Sequence, residues 1–398
     1  MELGGLKYLV VGAGIFGSVI AERIAKVLNQ KVLVIDKRDH IAGNCFSEVD
    51  KQTGVEVHRY GPHIFHTSDR QVWEYVTGFT EFNRYQHKVL TTHKNKIYSM
   101  PINLDTINSY YGGANSPSRA REMIRKETGE AAIGDPDNLE EKAISLIGKP
   151  LYEAFIKGYT HKQWETDPRT LPASIINRLP IRYNYNTRYF NDTWEGIPVD
   201  GYTEVFRRIL DHPNITVSTG TDFFDLRKQV PSDCLVIYTG PLDRLFDYKH
   251  GVLGWRTVTF AEEVHEVEDF QGTSVMNYAD VEVPYTRIVE FKHFHPERKV
   301  VPKTIIFKEF SKVARAGDDP YYPINTAEDV RMLSLYKEEV KKLPNLIVGG
   351  RLGSYKYWDM HHAMAIALGT FDKKVKNHRF DGRADQRRRQ TPEAGSSI

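Results

Sequence analysis

One stretch dictates how this chain must begin to fold: Gly12-Ala13-Gly14-Ile15-Phe16-Gly17. It lies between a β-branched run at residues 7–11 and a stretch, 18–29, in which Val19, Ile20, Ile24, Val27 and Leu28 recur at helical spacing. A second apolar run follows at 31–35. Strand, helix, strand, with strands apolar on both faces, predicts two buried parallel strands joined by a crossover helix. Each glycine then has a separate role. Gly12 permits the tight turn, Gly14 lets backbone approach a pyrophosphate, and Gly17 lets helix and strand pack closely. The helix N-terminus adds partial positive charge for phosphates. Asp36, 24 residues after Gly12, ends the second strand and suits a ribose hydroxyl. A dinucleotide ligand is the expectation.

The choice between FAD and NAD rests on what comes next. Lys37-Arg38-Asp39-His40-Ile41-Ala42-Gly43-Asn44 puts a second glycine-containing turn just past the acidic residue, as in proteins that bind FAD extended across the domain. Far downstream, Val348-Gly349-Gly350-Arg351 precedes a helical stretch at 358–368, a further strand–glycine–helix junction for the flavin side. FAD is therefore expected, with Phe16, Lys37, Arg38, Gly43 and Asn44 joining the glycines and Asp36 around it.

Short buried strands recur at 234–238 and 346–348, so the parallel sheet must be assembled from distant segments with insertions between them. Residues 88–100 read as a hairpin around His93-Lys94-Asn95, residues 103–165 are helical in pattern with a capping-box-like Asn138–Glu141, and 255–260, 286–291 and 304–310 alternate in the β manner. The expected fold is α/β: a discontinuous Rossmann-like FAD-binding domain (1–80, 196–245 and 335–375), an inserted helical domain (101–177), and an inserted antiparallel β-sheet domain (81–100, 178–195 and 246–334). The remainder, 376–398, reads as a basic, disordered tail. That tail explains the net charge of +2. Beyond residue 372 stand eight Lys/Arg and three acidic residues, leaving 46 basic and 49 acidic residues before it. A mildly acidic body gives no nucleic-acid footprint. Two cysteines exclude a disulfide framework and suit a reducing cytoplasm, and no apolar run is long enough to span a membrane.

At Gly43-Asn44 and Gly61-Pro-His-Ile-Phe-His66 the chain resembles UDP-galactopyranose mutases of the prokaryotic type, most closely the actinobacterial branch. The likeness continues through Pro150-Leu-Tyr-Glu-Ala-Phe-Ile-Lys-Gly-Tyr-Thr160 with Trp164, Arg178-Leu-Pro-Ile-Arg182 and Tyr189-Phe190. Val275-Met-Asn-Tyr278, Pro284-Tyr-Thr-Arg287, Pro320-Tyr-Tyr-Pro323, Gly350-Arg351 and Tyr357-Trp-Asp359 complete it, over roughly residues 5–375. The resemblance implies an isomerase that interconverts UDP-galactopyranose and UDP-galactofuranose without net redox change. In it, N5 of reduced FAD is the nucleophile at the anomeric carbon and UDP is the leaving group. It further implies a homodimer, an electron donor for the flavin such as NAD(P)H, and furanose supply for a cell-envelope polysaccharide.

By motif position the resemblance places Arg178 and Arg287 on the diphosphate, which the planar, permanently charged guanidinium is suited to bind. It sets Phe155, Tyr159, Thr160, Trp164 and Asn277 around the nucleotide, with Tyr189, Tyr321 or Tyr322, and Tyr357 supplying neutral hydroxyl donors. Of the adjacent pair, Tyr322 is the better candidate to face inward. Phe155 and Tyr159, four residues apart, should share a helix face. His63, Ile64, Arg351, Asp359 and Met360 would line the flavin, with His63 near N5 and Arg351 an electrostatic aid to the reduced form. Arg178, Arg287, His63 and Arg351 are thus the candidate catalytic set.

Three other readings bear on the site. The proline-containing segment 166–172 is composed like a lid. His63/His66, His293/His295 and His361/His362 lack third and fourth ligands at metal spacing, so no metal is expected. By the glycine motif alone an amine-oxidase-like FAD oxidoreductase would fit better, but an amine substrate would not want two buried arginines.

Overall fold

The computed structural model describes residues 3–131, 133–178, 181–315, 317–378 and 380, and of residues 174, 177 and 178 the backbone alone. The expected tail beyond residue 380 lies outside them. Tyr8–Val11, the first strand, is buried along its whole length. It is flanked in parallel by Val32–Ile35 on one side and Leu235–Tyr238 on the other. Ile215–Ser218 and Leu346–Val348 extend the sheet outward, also in parallel. Register aligns Val11 with both Ile35 and Tyr238, and Tyr238 with Val348. The strands therefore end together at Gly12, Asp36, Thr239 and Gly349. Because the chain leaves the first strand toward opposite neighbours, a crevice opens at this edge, the usual ligand position in open parallel sheets.

A second sheet has seven strands in the order Tyr322–Pro323, Trp255–His265, Thr304–Val313, Arg287–Glu290, Val275–Tyr278, Val89–His93 and Lys96–Met100. All neighbours are antiparallel except Val89–His93 against Val275–Tyr278. The long strands outrun the expected ones, and the strand expected at 286–291 turns at Phe291 into the 3₁₀ turn Phe291–Phe294. Two small ladders go beyond the expectation: Ser47–Val49 with Glu56–His58, and Phe65–Thr67 with Trp194–Gly196. Their three-residue strands are too short to show a period.

Helices Leu104–Tyr111, Pro117–Ala131 and Leu139–Ile147 fill the expected helical region. Asn138 accepts the Glu141 N–H as expected, but the Glu141 carboxylate bonds to the Asp137 N–H, so the capping box is only half made. The next stretch departs from the expectation more sharply. Tyr152–Lys157 is wound as a π-helical turn, and regular helix resumes at Gly158–Trp164.

Between the small ladders and the large sheet lies a buried polar cluster. Glu56 accepts from Ser47 Oγ at 2.8 Å and Arg298 Nη2 at 2.7 Å, with His295 Nε2 at 3.3 Å. Burial opposes its charge, yet these partners hold its carboxyl down to about 2. Burial pushes neighbouring His58 down to about 3, and its ring stacks on Phe294 at 8°. Unfolded, these groups titrate near ~4.3 and ~6.5. Both therefore bind more protons unfolded, so their stabilisation is present above the unfolded values and lost as pH falls through the folded ones. Thermal denaturation should give a Tm that declines below about pH 6.5 and more steeply below about pH 4.5; a Tm flat down to pH 4 contradicts the assignment.

Candidate active site

The crevice at the sheet edge continues as one cavity of about 840 Å³ that reaches the large sheet. Its first end is built from glycine backbone. Gly12 has φ +106° and a β-carbon there would overlap Thr239 Oγ1, so no other residue suits the turn. Gly17 is equally constrained, because its β-carbon would overlap Gly12 O. The Ile15–Val27 helix starts at Gly14 with no side-chain cap and no acidic residue in its first turn, which leaves its leading N–H groups for an anion. Asp36 is braced at the strand end by Ala13 N–H at 2.8 Å and Arg38 N–H at 2.9 Å.

Phe16, Lys37, Arg38, Gly43 and Asn44 line the same end. Arg38 donates to Asn44 Oδ1 and Asp319 and covers the Tyr60 ring, and Lys37 Nζ also reaches Asp319. Asp319 and Tyr60 are additions to the expected set, since only folding brings the 318–322 segment here. Midway, His63, Ile64, Arg351, Asp359 and Met360 form the wall. Burial pushes His63 down to about 4, so its ring is neutral at pH 7. Its N–H donates to His58 Nδ1 at 3.1 Å, and Gly61, at φ +92°, sets the turn before it. Arg351 bonds to Tyr321 O and lies 5.7 Å from the ring centroids of Tyr322 and Tyr357. Cys45 is buried and free, its thiol pushed up to about 12 by burial, which suits an inert role. A long cavity with glycine turns and an uncapped helix start at one end fits FAD.

The far end has different chemistry. Arg287 Nε and Nη2 both donate to Glu309 Oε2, at 2.8 and 2.6 Å, from the adjacent strand. Burial opposes the Arg287 charge, but Glu309 beside it raises the pKa above the ordinary arginine value. Asn277 pairs with Arg287 across the ladder. Tyr159 and Tyr322 also line this end, both kept protonated by burial. Tyr357 packs 5.4 Å from Tyr322, and Tyr189 5.3 Å from His87. Tyr321 and Tyr322 both reach the cavity, and Tyr322 is the one under the influence of Arg287. Seven of the 22 tyrosines are lining residues, Tyr60 and Tyr238 in addition to the five expected.

Three residues expected at the nucleotide do not line this cavity. Phe155 is 3% exposed, packed against Tyr98 at 4.9 Å, Tyr110 at 5.6 Å and His93 at 5.8 Å. Tyr159, four residues on and just past the π-helical turn, lines the cavity, whereas Phe155 does not. Thr160 is buried and Trp164 half-buried, and neither lines the cavity. Arg178 closes the 3₁₀ turn Ala173–Arg178, and its side chain lies outside the described residues. Folding also brings third groups to two histidines: Asp359 and His361 to His66, and Asp269 and Glu290 to His293. Each histidine already has carboxylate partners, His66 in Asp192 at 2.7 Å and His293 in Asp269 at 3.3 Å and Glu290 at 3.4 Å.

Relatives of known name match nearly the whole chain. A family profile described as UDP-galactopyranose mutase matches residues 154–357, and one for an NAD(P)-binding Rossmann-like domain matches 10–79. A probable UDP-galactopyranose mutase of Klebsiella pneumoniae is 43% identical, over 92% of this chain and 94% of its own. A dTDP-fucopyranose mutase of Escherichia coli is 40% identical, over 94% and 99%. In fold the chain is similar to a crystal structure of reduced UDP-galactopyranose mutase, with TM-score 0.69, 15% identity and coverage of 93% and 96%. A putrescine oxidase, with TM-score 0.54 and 10% identity, shares the fold alone. With a cavity fitted to FAD at one end and presenting a held arginine at the other, this chain belongs to the UDP-galactopyranose mutase family of flavin-dependent pyranose–furanose isomerases.

Proposed function

We propose that the chain interconverts UDP-galactopyranose and UDP-galactofuranose, and that the furanose supplies a cell-envelope polysaccharide. The observation that carries this reading is Arg287, held by Glu309 among Tyr159, Tyr322 and Tyr357, in the same cavity as the glycine cradle. Reduced FAD, when bound, supplies N5 as nucleophile for the anomeric carbon while UDP leaves, with no net redox change.

This chain's residues prepare that exchange. Glu309 grips Arg287 by Nε and Nη2, which leaves the Nη1 edge for phosphate oxygens. Arg287 pairs with the diphosphate and offsets the charge that grows on departing UDP. Arg178 supplies the second cation, and the 166–172 segment closes over the nucleotide. Tyr159, Tyr189, Tyr322 and Tyr357 donate hydroxyl hydrogen bonds without adding charge. Asn277 and Trp164 meet the nucleotide, while Phe155 and Thr160 pack behind. With His63 neutral, Arg351 would be the fixed positive charge beside a bound flavin, and the turn at His63 would lie against its ring.

The protein works as a cytoplasmic homodimer, its flavin reduced by an external donor such as NAD(P)H. Two buried free cysteines suit a reducing compartment, and among the described residues no helix is long and apolar enough to cross a membrane. The chain divides into a discontinuous FAD-binding domain, a helical domain and a sheet domain.

Dithionite-reduced protein is expected to convert UDP-galactofuranose to UDP-galactopyranose, followed by chromatography. UDP binding without turnover rules this out, and preferential turnover of dTDP-fucofuranose moves the substrate to the class named by the Escherichia coli relative. Separately, Arg287→Ala should retain stoichiometric FAD, read from its absorbance, while turnover falls by roughly 10²-fold or more. Undiminished turnover removes Arg287 from the site.

A further inference from the structure

Lys162 stands on the Gly158–Trp164 helix, three residues beyond Tyr159. Its Nζ shares three N–H donors among four main-chain oxygens: Tyr278 O at 2.7 Å, Asp280 O at 2.9 Å, and Val283 O and Tyr285 O at 3.0 Å. The first ends the strand Val275–Tyr278 and the other three belong to the loop that joins it to Arg287–Glu290; the two strands carry Asn277 and Arg287. Carbonyls that converge on one point repel one another and offer no donor, and an ammonium meets both needs with its charge and its N–H groups. The carboxylate of Asp280 is engaged elsewhere, by His93 Nδ1 at 2.7 Å and the Lys94 N–H at 2.9 Å, so it does not fill the cage.

A second observation places the same helix face on the same loop. Gly158, four residues before Lys162, lies so close that a β-carbon there would overlap Ala279 O. Gly158 gives the close approach and Lys162 the charge. We infer that Lys162 is a positioning residue for nucleotide-sugar binding, an internal cation that locks the helix bearing Tyr159 to the loop that sets Asn277 and Arg287, within a cage able to accept a small monovalent cation. The inference rests on the function proposed above. Tyr159 and Arg287 come from segments 128 residues apart, and this cage is the joint between them.

The test uses FAD-loaded enzyme and UDP affinity, read from the flavin absorbance change. Lys162→Met keeps the side chain's bulk and removes the charge, so UDP affinity and KM should weaken by at least about tenfold while FAD content and kcat stay close to wild type. In Lys162→Ala, millimolar ammonium or potassium should restore part of the UDP affinity, and choline, too large for the cage, should not. Gly158→Ala, which forces the joint apart sterically, should weaken UDP binding with no ammonium rescue. Wild-type UDP affinity in Lys162→Met overturns the inference, as does a lowered Tm in that variant with UDP affinity unchanged. Loss in Lys162→Ala that potassium, ammonium and choline relieve equally, or not at all, overturns the cage. If wild-type enzyme binds UDP but does not turn over the sugar nucleotide, the proposed function fails while the joint is still measured.

Discussion

The whole site depends on how closely two strands can end beside each other. Tyr8–Val11 and Leu235–Tyr238 finish level, and the backbone at Gly12 then passes Thr239 with no space for a side chain. That approach turns the chain sharply enough to aim the Ile15–Val27 helix at the crevice, while Gly17 lets the helix settle against the turn it came from. Everything that meets the cofactor is referred to this edge. Asp36 ends the neighbouring strand, and Gly349 and Gly350 follow the outermost one.

Charge at the other end is managed by pairing rather than by exposure. A buried guanidinium loses hydration that only a close anion restores, and Glu309 does this for Arg287 from one strand away. The pair is already assembled before any diphosphate arrives, so the arginine needs little reorganisation to bind it. Lys162 obeys the same rule with main-chain oxygens in place of a carboxylate. Between the two ends His63 and His87 stay neutral, so Arg351 and Arg287 carry permanent positive charge along the wall.

Legibility in the sequence follows the range of the interaction. The glycine turn, its strands and Asp36 lie within 30 residues, and hydrophobic period with three glycines suffices to read them. Family motifs mark Arg287, Tyr322 and Arg351 for the cavity that they line. Glu309 and Lys162 escape such a reading because their partners are chosen by strand pairing and helix docking across 22 and more than 100 residues. The π-helical winding around Phe155 escapes it for a local reason of another kind. The 3.6-residue period does not hold across its turn, and no proline or glycine within Tyr152–Lys157 announces the change.

The last strand of the parallel sheet, Leu346–Val348, also decides when the molecule can become functional during its own synthesis. Its partner Leu235–Tyr238 is more than 100 residues earlier, and the cofactor wall that follows it includes Arg351, Tyr357 and Asp359. A nascent chain that has exposed only the glycine turn owns half a cradle, and a large sheet whose strand Val89–His93 waits for Val275–Tyr278. Cofactor capture therefore waits until Leu346–Val348 and the wall that follows it have been made. Truncations short of residue 350 would emerge as chains with a complete nucleotide motif and only the His63–Ile64 side of the flavin wall.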